Sequence, residues 1–139
     1  MSSENKAIVR RFFEEIFNQQ AYTAADEIVA TDYINHNPAP GELPGREGLK
    51  QFIAYLHSTN EGIRFVLEDQ IAEGDKVATR WTATGKHTGE FAGIPATGKS
   101  YTIKAINIHR VVDGQIQEGW LEWDTLGWMQ QLGVIPTAT

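Results

Sequence analysis

The chain has 139 residues, of which 41% are hydrophobic and 22% charged, with a formal net charge of −6 and no cysteine. Those bulk properties fit one soluble domain over residues 1–139 with a core large enough to need no covalent staples. The acidic balance and the scatter of the 12 Lys and Arg argue against nucleic acid or an anionic membrane as partner, and the missing thiols exclude disulfides and cysteine nucleophiles.

The opening residues Met1-Ser2-Ser3-Glu4-Asn5-Lys6 carry neither a basic n-region nor an apolar h-region, and nothing later is long enough to span a bilayer, so a cytoplasmic protein is expected. Ile8, Val9, Phe12, Phe13, Ile16 and Phe17 recur at helical spacing and predict a first helix over 4–18. A shorter helix is predicted over 22–30, then an extended piece over 31–38, because Asn37 before Pro38 is pushed out of helical geometry. Residues 39–45 hold two prolines and two glycines and read as a flap loop. A third helix follows from Arg46 or Glu47 to His57, burying Leu49, Phe52, Ile53 and Leu56.

From residue 63 the period changes to two. Strands are expected over 63–71 and 77–84, followed by a glycine-rich loop between His87 and Lys99 that bears Phe91. Residues 101–124 then read as a hairpin about Asp113-Gly114, since a tight primed turn needs positive φ at both centre positions. An unbroken register pairs Val112 with Gln115, His109 with Glu118, Asn107 with Trp120, Ala105 with Glu122 and Ile103 with Asp124. On that register Glu118, Trp120, Glu122 and Asp124 share one face as a pocket wall, and Leu121 and Trp123 face outward. A helix over 126–132, stopped by Gly133, closes the chain. Helices first and antiparallel strands afterwards give an α+β domain: three N-terminal helices packed on a strongly curved antiparallel sheet.

Several stretches in this order resemble the SnoaL-like polyketide cyclases, or ester cyclases, of the cone-shaped nuclear-transport-factor-2-like fold. They are Tyr33-Ile34-Asn35-His36-Asn37-Pro38, Pro44-Gly45-Arg46-Glu47-Gly48-Leu49, 74–85, 87–95, and Asp113-Gly114 leading to Trp120, Asp124 and Gln131-Leu132-Gly133. The resemblance implies an apolar pocket between sheet and helices, a homodimer or higher oligomer, and ring closure by aldol chemistry without metal or cofactor, using an aspartate near a histidine. Carried over outward from Asp113-Gly114, the family's histidine falls at Asn107 and its aspartate at Leu121, with a second aspartate at Asp124. His109 and Asp124 stand two and three residues away.

For the chemistry, Asp124 is the leading acid/base candidate, because a carboxylate desolvated by apolar walls has a raised pKa; the plainer role is N-cap of the last helix. His109 and His36 are the candidates to polarise or orient a substrate oxygen, against plainer roles as a cross-strand partner and a backbone-bonded loop residue. Tyr33, Trp81, Trp120, Glu118, Asn107 and Phe91 complete the expected substrate-binding set. His36, His109 and Glu118 could in principle ligate iron, but no HxH or HxD spacing supports a metal site, and the nucleotide and serine-hydrolase motifs are missing. The expected function is cofactor-independent acid/base catalysis on a small, largely apolar carbonyl compound, of aldol cyclase, isomerase or lyase type. The competing classes are a non-catalytic binder of an apolar ligand in the same pocket and a module that only dimerises.

Overall fold

The structure is a computed structural model of the chain and describes residues 2–137. Helix α1 (Ser2–Arg11) carries its apolar stripe straight into a π-helical stretch, Phe12–Asn18. The wider turn of i→i+5 bonds keeps neighbouring residues closer to one side, and Phe12, Phe13 and Ile16 are all buried there. Arg10 and Arg11 stay on the wet side, paired with Glu14, Glu15 and Glu27. Asn18 ends the stretch: its carboxamide donates to Phe65 O (2.8 Å) and accepts from Phe65 N (2.7 Å). Helix α2 (Tyr22–Ile28) and strand β1 (Val29–Asn35) follow, then the flap, α3 (Gly45–Thr59), and the long strands β2 (Asn60–Glu73), β3 (Lys76–His87), β4 (Ser100–Val112) and β5 (Gln115–Trp123), with α4 (Thr125–Leu132) last.

The strands form one sheet in the order β1-β5-β4-β3-β2. The four long ones are antiparallel, as expected, whereas the extended piece before the flap enters as a parallel edge strand beside β5. Helices and sheet enclose Val9, Phe12, Phe13, Ile16, Val77, Trp81, Ala105 and Ile116 in one core. Each such large side chain contributes roughly 1.5–3 kcal/mol by burial.

Asp113 and Gly114 both adopt positive φ (51° and 78°), so the hairpin turn is the one expected, and Val112 does pair with Gln115. The register beyond it is different. Val111 pairs with Ile116 but Arg110 pairs with Glu118, leaving Gln117 as the extra residue of a β-bulge. A slip of one residue turns every later side chain to the opposite face. His109 therefore lies opposite Gly119, Asn107 opposite Leu121 and Ala105 opposite Trp123. Ile116 before the bulge and Gly119, Leu121 and Trp123 after it turn inward, and Glu118, Trp120 and Glu122 outward, so beyond the bulge the facing is the reverse of the expected one. The physical reason is burial: the inward set is apolar, and seating three carboxylates against the aromatic core would strip them of water without partners.

Candidate active site

A cavity of about 260 Å³ lies between the inner face of the sheet and the helices. Phe12, Phe13 and Phe17 of the π-helical stretch, Trp81 of β3, Leu121 and Trp123 of β5 and Trp128 of α4 make its walls apolar. Two loops lie at its margin. One is the flap, with Asn37, Pro38, Ala39, Pro40 and Glu42. The other is 88–99, where Ala92 and Gly93 (φ 53° and 79°) close a tight turn in which Phe91 and Ile94 exchange backbone hydrogen bonds of 3.1 and 2.9 Å. Phe91 stacks on Tyr55 with ring centroids 5.4 Å apart and meets the edge of Trp128 at 5.9 Å.

Against these walls the polar groups stand out. His109 is 1% exposed and lines the cavity, between the rings of Phe12 (4.9 Å) and Phe13 (6.0 Å). Neither of its ring nitrogens has a hydrogen-bond partner in the protein among the described residues. Burial without a compensating charge lowers its pKa from 6.5 to about 4, so the ring is neutral at pH 7. Gly119 makes room for it: a Cβ there would stand 2.8 Å from His109 Cδ2, 3.1 Å from its Nε2 and 3.0 Å from the Tyr33 hydroxyl. The Tyr33 and His109 tips thus converge on the same spot.

Asn107, one step along the inner face of β4, accepts from Trp81 Nε1 (2.7 Å) and donates to Trp120 O (3.0 Å), which fixes its carboxamide and leaves a second N–H to spare. Tyr33 is held well above the usual phenol range, by burial first and by the charge of Glu42 second. Tyr101 is pushed up to about 12 by burial, and its hydroxyl donates to Asn60 Oδ1 at 2.7 Å. Glu42 is the sole carboxylate among the residues lining the cavity.

Of the side chains expected at the site, His109, Tyr33, Trp81, Asn107 and Phe91 line this cavity, while His36, Glu118, Trp120 and Asp124 do not. The bulge sends Glu118 and Trp120 to the outer face, where His36 joins them. The His36 and Trp120 rings stack at 4.6 Å, His36 Nε2 meets Glu118 Oε1 at 2.7 Å, and Arg110 binds the other oxygen of Glu118. Those bonds from His36 and Arg110 hold the Glu118 carboxyl below its usual range. Asp124 is the N-cap of α4, its Oδ1 accepting from Gly127 N at 2.8 Å. His87 is buried away from the cavity, where Nδ1 accepts from Thr97 N at 3.2 Å and desolvation lowers its pKa. Sequence reasoning missed Leu121, Trp123 and Glu42 as lining residues. The apolar alternation Gly119, Leu121, Trp123 was a visible signal for the first two; Glu42 had none beyond its place in the flap.

No helix among the described residues is long and apolar enough to cross a membrane, and none of their His, Asp and Glu side chains gather in groups of three or more. The family model for SnoaL-like polyketide cyclases matches residues 7–132. The chain belongs to that family. The SnoaL-like assignment agrees with individual relatives. The aklanonic acid methyl ester cyclase DnrD of Streptomyces peucetius is 30% identical over 133 residues, 91% of this chain and 88% of the relative. The nogalonic acid methyl ester cyclase of Streptomyces nogalater is 29% identical over 122 residues, covering 84% and 89%. Among solved structures, TsrD from Streptomyces laurentii superposes with a TM-score of 0.87 at 30% identity, covering 96% of this chain and 97% of that one. Asn107 and Leu121, the positions at which the resemblance leads us to expect the family's histidine and aspartate, face each other across β4 and β5 on the cavity wall. Neither residue titrates.

Proposed function

We propose that this chain is a cofactor-independent acid/base enzyme that acts on a small, largely apolar carbonyl compound, of the aldol cyclase, isomerase or lyase type, in the cytoplasm. One observation carries the reading: a neutral imidazole, fully buried, with both nitrogens unpaired, at the wall of an aromatic cavity. Leaving a buried polar group unsatisfied costs about 1–3 kcal/mol. Among the described residues Nε2 of His87 is left in the same state but away from the cavity; His109 is the one whose ring lines it, where a ligand can complete it.

The chemistry follows from the protonation state. With a conjugate acid near 4, His109 donates a neutral N–H at physiological pH and polarises a carbonyl oxygen without carrying a full charge into the cavity. As an enolate forms, negative charge collects on that oxygen and the hydrogen bond strengthens, which is the differential binding that lowers a barrier. The spare N–H of Asn107 is the second donor of the same wall. Tyr33, Trp81 and Phe91, with Leu121 and Trp123, exclude water and hold the apolar body of the substrate. The methyl ester cyclases among the relatives, and the family's description as polyketide cyclases, favour a polyketide methyl ester as the substrate class.

The runner-up is a binding protein for the same kind of compound, favoured by the non-titrating pair Asn107 and Leu121. Turnover separates the two. With aklanonic acid methyl ester and simpler diketones as test compounds, the catalytic reading expects product from the native chain and a loss of about 100-fold in kcat in His109→Leu. Tight binding of those compounds without product, unchanged in His109→Leu, would leave the binder. For association, an apolar row runs across the outer face through Ile71, Ala78, Ile108 and Trp120, beside Ile106, and supports a homodimer as the working unit, to be checked by sedimentation. Neither nucleic acid nor membrane is proposed as a partner for a chain of net charge −6.

A further inference from the structure

Polarising a carbonyl is half of an enolate reaction; some group must also take the proton from the neighbouring carbon. In the reading above the imidazole is already engaged as the donor to the carbonyl oxygen, and Leu121, across from Asn107 on the facing strand, has no acid–base group. We propose that Glu42, carried on the flap, is the proton-transferring group of this cavity. The inference rests on the acid/base reading above and names the residue which that reading lacks.

Three observations converge. First, Glu42 is the sole acidic side chain among the residues lining the cavity, and no lysine or arginine lines it to neutralise the charge. Second, the carboxylate is fixed. Oε2 accepts from Asn35 Nδ2 at 3.0 Å and Oε1 from Ala39 N at 3.1 Å, which leaves lone pairs on both oxygens for a proton. Asn35 is braced in turn: its Oδ1 accepts from Asn37 N at 3.0 Å, and Asn37 Oδ1 accepts from Leu121 N of β5 at 2.8 Å. The flap is also clamped from behind, since Gly48 of α3 lets the Leu43 carbonyl approach where a Cβ would stand only 1.8 Å from it. Third, the Glu42 charge is felt at the Tyr33 hydroxyl, and that hydroxyl and His109 Nε2 both lie close to the point above Gly119. Glu42, Tyr33 and His109 therefore stand together at one end of the cavity, the end that the flap covers.

The step balances. The Glu42 carboxylate takes a proton from the carbon next to the held carbonyl, the C–H pair becoming the enolate. The enolate carbon attacks a second carbonyl of the same molecule, forming the C–C bond, and the resulting alkoxide takes its proton from the Glu42 acid. Nothing is oxidised or reduced, and the carboxylate is regenerated.

The test uses 5-nitrobenzisoxazole, a bicyclic probe that asks only for a base in an apolar pocket. The base takes its ring C–H proton, the N–O bond breaks, and a coloured nitrophenolate is released. The full chain is expected to turn this probe over faster than equimolar acetate. Glu42→Gln should lower kcat by about 100-fold while leaving KM within about threefold and the melting temperature unchanged, so that a smaller folded fraction does not account for the loss. Glu42→Asp should retain part of the rate, and added acetate should restore part of it to Glu42→Ala, so that even a partly misplaced flap gives an answer. If Glu42→Gln keeps its rate while His109→Leu loses it, the imidazole is the base; this proposal then falls and the acid/base reading stands. If the native chain is no faster than acetate, both fall.

Discussion

The most informative single change is His109→Leu, because it opposes stability to function. Leucine fills a similar volume among Phe12, Phe13 and Gly119 and carries no polar atom to strand. Removing an unpaired buried group in favour of an apolar one is neutral or stabilising, by about 0–2 kcal/mol at pH 7. Acid supplies the magnitude. The ring titrates at 6.5 when free and at about 4 when folded, so between those values the unfolded chain takes up a proton that the folded chain refuses. The stability tied to His109 is complete above pH 6.5 and drains away as pH falls through the window toward 4. At about 1.4 kcal/mol per pH unit, the native chain should lose about 3 kcal/mol more than His109→Leu between pH 7 and pH 4. Urea unfolding of both proteins at the two pH values measures this directly, and groups common to both, such as His87 and Glu118, cancel in the difference. Two results would refute the reasoning. A variant weaker than the native chain by more than about 2 kcal/mol at pH 7 would mean that the imidazole is a satisfied structural group. Equal acid sensitivity in the two proteins would mean that it is not buried as described.

Other substitutions test the surroundings. Asp124→Ala removes the N-cap of α4 and should cost about 1 kcal/mol in thermal unfolding, with turnover unchanged; a collapse of turnover at intact stability would return this residue to the chemistry. Gly48→Ala sets a methyl group against the backbone of Leu43 and should lower stability by about 1–3 kcal/mol while displacing the flap, so turnover falls with it; an unchanged melting temperature would show that the clamp is slack. Asn107→Leu strands the indole N–H of Trp81, which is 5% exposed, and should cost about 1–3 kcal/mol, measured by urea titration, together with a fall in kcat.

Much of the architecture could be read from the residues, and the reasons differ from element to element. The helices announced themselves by the spacing of Phe12, Phe13, Ile16 and Phe17 and of Leu49, Ile53 and Leu56. The hairpin turn did so because Asp113-Gly114 is chemically selected for positive φ. The bulge at Gln117 left no such mark: an extra residue in a strand has no compositional signature, yet it decides which side chains see the cavity. Three carboxylates and a tryptophan at alternate positions looked like a pocket wall, and so the facing was read from chemistry when apolar burial of Ile116, Gly119, Leu121 and Trp123 determined it. The parallel pairing of β1 with β5 is a contact between segments about eighty residues apart, outside the reach of any local pattern. Glu42 illustrates the same limit, since its orientation depends on Asn35 and on a clamp at Gly48 supplied by a helix that follows it.

The carboxamide of Asn18 has a consequence for how molecules of this protein meet. By both giving and taking a hydrogen bond at Phe65, it imitates one residue of a sixth strand at the open margin of β2, and Gln70 of the same strand reaches Lys6 O at 3.2 Å. A ribbon from a second molecule that tried to lengthen the sheet at Phe65 would find that docking point taken. Growth by adding strands side by side, the usual route from a long antiparallel margin to fibres, is thereby stoppered at this position by a single side chain.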